Sequence, residues 1–300
     1  MNWLMATILS YFFLALVSLF DRYLLVGPIK NPFAYTFYVG ILWSLISFPL
    51  IPFGVKLSNF QFLILGLAAG FIRIFAILFL AKAISESEIS RTIPAIGGLL
   101  PIFTFFLFLI FLPETRVLNQ FYLLAFLLLI FGSVFISLEK FSFSFKKLKY
   151  PIFSSFLFAL NFFLTKILYL KLNFITGLFL ILFGGGMGAI FSLFFPKIKN
   201  QILTQKPVPK ASFFFILGQA FGGLGVLFQF FALYLAKPNQ VPLINALEGV
   251  RYVFLLFFVF ILSILKPEIL KEEIRGKILY QKIFAVLLIS SGLAILSFQK

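Results

Sequence analysis

The chain has 300 residues, 62% of them hydrophobic and 11% charged. Soluble domains sit near half apolar and a quarter charged, so this composition excludes a soluble globular protein and makes the bilayer the solvent. The absence of cysteine and histidine excludes disulfides, thiolate nucleophiles, Cys/His metal sites and the usual neutral-pH proton shuttle, and no cofactor is implied.

A net charge of +16 would point to nucleic acid in a soluble protein. Here Lys and Arg fall in short loops between apolar runs, where they set topology and meet anionic headgroups. No aromatic–basic recognition motif accompanies them, so the bilayer is the expected partner and nucleic acid is not.

A helix needs about 20 residues to cross the hydrocarbon. In chain order this predicts ten spans, roughly 4–26, 33–52, 60–81, 91–112, 119–138, 151–171, 174–195, 211–236, 241–265 and 281–298. Prolines such as Pro28, Pro52, Pro113, Pro196, Pro238 and Pro267 mark the loops. The first run follows no basic segment and reads as a retained helix, not a cleaved signal. Its Asp21-Arg22, like Lys166 of the sixth span, reads as an end residue that snorkels to the interface.

The third span carries Gly66-x-x-x-Gly70 and the eighth Gly218-x-x-x-Gly222, both small-residue faces for close helix contact. Pro94 and Pro101 remove backbone hydrogen bonds from the fourth span and predict a kink that would suit a gate. Gly184-Gly185-Gly186 with Gly188 makes the seventh span a packing surface or a hinge.

The sequence repeats itself. At a shift of 160, Ala125, Gly132, Ser137 and Lys140 meet Ala285, Gly292, Ser297 and Lys300. At a shift of 152, Gly66 and Gly70 meet Gly218 and Gly222. The first and sixth spans pair Ser10 with Ser154 and Arg22 with Lys166, and the fourth and ninth pair Gly98 with Gly249. Residues 1–140 and 141–300 therefore form two five-span units. Five is odd, so the second unit starts on the opposite side of the membrane. The predicted fold class is an all-α integral membrane protein of ten transmembrane helices arranged as two inverted five-helix repeats. That plan places a site at the repeat interface near the midplane.

Of the 25 Lys and Arg, 17 lie in the loops after odd-numbered spans, six in the other loops and C-terminus, and Arg73 and Arg251 lie within spans. The positive-inside rule puts the odd loops in the cytoplasm and both termini outside.

The third and fourth spans read Leu80-Ala81-Lys82, a polar stretch from Ser85 to Ser90, Pro101 and Leu112-Pro113-Glu114. The second copy reads Leu235-Ala236-Lys237 and Lys266-Pro267-Glu268, and Gly132 and Gly292 centre the fifth and tenth spans. Over nearly the whole chain this resembles the EamA-type branch of the drug/metabolite transporter superfamily. The resemblance implies ten helices in two inverted units, a secondary transporter of the plasma or inner membrane, and cytoplasmic termini. The last point conflicts with the charge distribution.

Charges deep in a span are functional candidates by default. Arg73, Glu248 and Arg251 qualify, and their repeat mates Gly225, Gly97 and Leu100 are uncharged. Glu248 and Arg251, spaced i, i+3, read either as a self-neutralising pair or as an anion site with an acid that releases Arg251 or carries a proton. Asn161, Gln219, Gln229 and Asn245 form a polar second tier, each lining a cavity or making an interhelical hydrogen bond. Asn245 leads it, one turn from Glu248.

The leading expectation is transport of small polar metabolites, amino acids or related and anionic solutes included, by alternating access in a monomer or homodimer. No Walker A pattern is present; coupling to protons or a counter-substrate stays open. A lipid-phosphate or lipid-linked-sugar flippase on the same fold is the alternative. An integral membrane enzyme ranks lower, without His, Cys or metal-ligand spacing, and a passive scaffold would not need intramembrane charges. A small-multidrug-type cation exporter is disfavoured, because the first span has no acid before Asp21.

The chain has no native cysteine, so topology is directly measurable. Lys146→Cys and Lys206→Cys are expected to resist an impermeant maleimide in intact cells and to react after permeabilisation. Labelling from outside only would reverse the charge-based orientation.

Overall fold

A computed structural model describes residues 1–29, 31–57, 59–86, 89–112, 120–135, 145–203, 209–265 and 277–298. These residues are helical and contain no strand. The helices are α1 (Trp3–Val26), α2 (Pro32–Ser47), α3 (Phe60–Glu86), α4 (Ile89–Phe111), α5 (Gln120–Phe135), α6 (Phe145–Tyr169), α7 (Phe174–Ser192), α8 (Pro196–Leu203), α9 (Pro209–Leu235), α10 (Val241–Ala246), α11 (Glu248–Leu265) and α12 (Lys277–Phe298). Six segments are long and apolar enough to cross a membrane: Trp3–Leu25, Pro32–Phe53, Phe60–Glu86, Lys149–Tyr169, Phe174–Ser192 and Ala211–Leu235.

Helix starts follow local chemistry. Asn2, Asn31 and Asn173 cap α1, α2 and α7 by accepting from Met5, Phe33 and Thr176 N–H at 2.9, 2.9 and 2.8 Å. Pro32 occupies the first turn of α2, where its missing N–H costs nothing. The outer faces keep large apolar groups such as Phe60, Phe194 and Phe213 exposed, which fits an apolar outer solvent.

The second span, expected at 33–52, is present as Pro32–Phe53; it leaves α geometry at Ser47 and finishes as a 3-10 turn, Phe48–Phe53, around Pro49 and Pro52. Three expectations are corrected. The third span runs on to Glu86. The stretch 196–210, read as loop, contains the short helix α8. The ninth span is not continuous: it breaks at Leu247 into α10 and α11. There the Tyr11 hydroxyl donates to the Ile244 carbonyl at 2.9 Å, the group that an unbroken helix would offer to the Glu248 N–H. Pro94 and Pro101 both lie inside α4, which continues from Ile89 to Phe111.

Helix packing is dense where glycines let backbones approach. The main pairs are α1 with α9, α3 with α6 and α7, α2 with α7, α4 with α6, and α5 with α12. A Cβ on Gly66 would meet Leu180, and one on Gly70 would meet the Ile181 carbonyl and Gly185 N, so α7 seats against this face of α3. Gly218 and Gly222 instead face Phe20 and Val17 of α1. Gly184, Gly186 and Gly188 lie against Leu67, Ser44 and Ile74, which makes this run of α7 a packing surface for α2 and α3.

Backbone contact leaves no room for adjustment at Gly70. Gly70→Ala is expected to lose about 1–3 kcal/mol through overpacking. Gly223→Ala, with nothing within 4 Å of its Cβ, is expected to be neutral or to gain up to about 1 kcal/mol from helix propensity. Thermal unfolding in detergent checks the order; equal midpoints would remove the close-contact account.

Candidate functional site

A cavity of about 120 Å³ lies inside the bundle, lined by α1, α2, α3, α4, α6, α9 and α11. Its wall residues run from Leu14 to Leu25 on α1, Tyr35 to Trp43 on α2, Arg73 to Ile84 on α3 and Gln219 to Gln229 on α9. The cavity thus extends from the bundle's middle toward the end where α1 and α3 finish and α2 and α9 begin. Gln219 and Gln229 are ten residues apart on α9, about 15 Å along its axis.

Arg73 forms the inner end. It is 4% exposed, and its Nη1 and Nη2 donate to Asn161 Oδ1 at 3.0 Å and Gln229 Oε1 at 2.8 Å. Asn161 is held in turn by donating from Nδ2 to the Ala69 carbonyl at 2.9 Å. Rings of Phe230, Trp43, Phe158 and Phe162 surround the guanidinium carbon at 4.7, 5.6, 5.6 and 5.8 Å. Two amide oxygens and four ring faces disperse the charge, but among the described residues no carboxylate pairs with it. The buried Nε–H has no hydrogen-bond partner.

Arg251 stands differently. Its Nη1 donates to Glu248 Oε1 at 3.0 Å, and its Nη2 and Nε donate to Ser18 Oγ at 2.6 and 3.1 Å. Glu248 opens α11, so the carboxylate also sits at a positive helix end. The i, i+3 pair is therefore self-neutralising in this conformation, and α1 anchors it through Ser18.

The third polar group is Asp21, Tyr35 and Gln219 at the outer end. The Tyr35 hydroxyl donates to Asp21 Oδ1 and accepts from Gln219 Nε2 at 3.0 Å. This corrects the snorkelling assignment: Asp21 is half-buried and faces the cavity, while its neighbour Arg22 is exposed. Lys166 is corrected too. It is 2% exposed, and its Nζ donates to the Leu233 and Ala236 carbonyls at 3.1 and 2.5 Å, where α9 ends. With Asp21 included, the cavity wall holds two formal positive and two formal negative groups, Arg73 and Arg251 against Asp21 and Glu248.

The remaining candidates divide. Gln219 and Gln229 line the cavity; Asn161 supports Arg73 from behind. Asn245 lies off the cavity, fully buried, and its Nδ2 donates to Thr104 Oγ1 at 2.8 Å. Residues not anticipated are Asp21, Tyr35, Ser18 and Trp43. Ser18 and Asp21 each lie four residues along α1 from a wall residue, Leu14 and Val17, and so share that helix face.

No protein-family model matches the chain, and no curated protein matches it. A solved structure described only as "Crystal structure of protein" is similar, with a TM-score of 0.67 and 16% identity over 99% of this chain and 96% of that one. At that identity the likeness shows the fold alone.

Removing one member of a buried ion pair strands the other. Arg251→Gln and Glu248→Gln are each expected to cost about 3–5 kcal/mol, and the double variant less than the two combined. Denaturant unfolding in detergent measures the cycle; additive costs would mean that the pair does not couple.

Proposed function

We propose that this chain is a secondary transporter of small anionic metabolites, built on the EamA-type plan of two inverted five-helix repeats, which works by alternating access. The observation that carries the reading is Arg73: a cavity-lining guanidinium buried among rings without a carboxylate partner among the described residues. An unpaired charge in low dielectric gains most from a counter-ion brought by a ligand.

Reciprocal packing supports the repeat. A Cβ on Gly132 would meet Ala285 and Ile289, and one on Gly292 would meet Ala125 and Leu129. Each residue of one set is the other set's mate at the shift of 160. Likewise α1 lies along α9 and α6 along α3, with Ser10 Oγ and its mate Ser154 Oγ donating across to the Gly225 and Ala76 carbonyls.

Alternating access is supported by the difference between the cavity's ends. Beyond Arg73, Tyr169, Phe174, Phe231 and Tyr234 pack edge to face and tilted against one another, and Lys166 ties α6 to the end of α9. The cavity instead reaches toward the end that the charge distribution assigns to the cytoplasm.

Flux of labelled organic anions into proteoliposomes tests the reading. Arg73→Gln is expected to lower it at least about tenfold, the loss of roughly 1.4 kcal/mol or more of binding. Undiminished flux in that variant would remove Arg73 from the site, and a wild type that moves no carboxylate or phosphate would remove the transporter reading.

A further inference from the structure

We propose that the cavity selects a small monocarboxylate with an apolar body, against inorganic phosphate, polyols and amino acids. The inference deepens the transporter reading and rests on it for the site's purpose, though not for its binding chemistry.

Of the two cavity cations, Arg73 is the one without a carboxylate partner among the described residues, since Arg251 is bound to Glu248 and Ser18 while Arg73 donates only to neutral amides. A guanidinium matches a carboxylate edge with parallel N–H donors. A phosphate dianion brings a second charge and oxygens that one partly committed guanidinium cannot satisfy.

The walls beside Arg73 are apolar: Trp43, Val39, Ile77, Phe158, Phe162 and Val226. Hydroxyls placed there would lose water without gaining partners. Ring faces offset only part of an ammonium's desolvation, and no carboxylate contacts Arg73 among the described residues. Of the acids in the wall, Glu248 is held by Arg251 and Asp21 by Tyr35, and Gln219 of the Asp21 group is ten residues, about 15 Å along α9, from Gln229. Size sets the upper limit. The cavity of about 120 Å³ is comparable to the roughly 150 Å³ cavity that admits benzene, so nothing larger than a short branched or single-ring body fits.

The protein carries its own reporter. It has two tryptophans, Trp3 and Trp43, and Trp43 lies 5.6 Å from the Arg73 guanidinium carbon. The test uses the full chain with Trp3→Phe in detergent, titrated with isovalerate, benzoate, leucine and inorganic phosphate to about 10 mM. The expected result is a saturable change in Trp43 fluorescence and a raised unfolding temperature with isovalerate or benzoate. Leucine and phosphate are expected to bind at least tenfold more weakly. Arg73→Gln is expected to weaken isovalerate at least tenfold. Arg73→Lys, which keeps the charge and loses the planar fork, is expected to fall between them and serves if Arg73→Gln does not fold.

Leucine or phosphate binding as tightly as isovalerate overturns the proposal. So does isovalerate affinity unchanged in both Arg73 variants, or no response to either apolar carboxylate by either readout. Transport of some other anion would then leave the transporter reading standing. Binding as expected without flux would sink the transporter reading and keep the site.

Discussion

A charge inside an apolar solvent must be answered locally, and the interior of this bundle is organised around how each charge is answered. Arg251 is answered by Glu248 and Ser18, and Asp21 by Tyr35 and Gln219. Lys166 is answered by two carbonyls at the end of α9. Arg73 receives two amide oxygens and four aromatic faces, which disperse its charge without cancelling it. Among the cavity's cations the difference is electrostatic: Arg251 has a carboxylate partner, and Arg73 has none among the described residues.

Under the proposed duplication, the packing scaffold and the site draw on opposite features of the repeat. Where the copies agree, at Gly132 and Gly292, side chains are absent and helices close on each other. Where they differ, chemistry enters: α9 carries Gly225 against Leu14 of α1, while its mate Arg73 on α3 lies beside Phe158, the mate of Leu14 on α6. A small residue on one side and a guanidinium on the other convert a symmetric crossing into an asymmetric site. The polar groups are also separated along α9.

Much of this was legible in the sequence, and the misses have physical causes. Arg73, Glu248 and Arg251 were found by one rule, charge within an apolar run. Asp21 fails that rule because it lies near a helix end, where a snorkelling side chain and a cavity-lining one have the same sequence signature. Tyr35 and Trp43 carry no signal among so many aromatics. The break at Leu247 was hidden for another reason. At the break the Ile244 carbonyl accepts from the Tyr11 hydroxyl, which lies 233 residues away on α1, and no local pattern announces that partner. Asn245, expected to accompany Glu248, donates to Thr104 instead.

The sequence by itself determined the solvent, most of the helical spans, the lack of cysteine and histidine chemistry, and which helices carry charge. These follow from transfer free energies that add residue by residue, whatever the partners. Only the tertiary structure decided which charges are compensated. Compensation depends on a few ångströms between helices far apart in the chain, as between Arg73 and Gln229, 156 residues apart and 2.8 Å from each other. No local pattern encodes that distance. It is set by which glycine faces allow which backbones to meet.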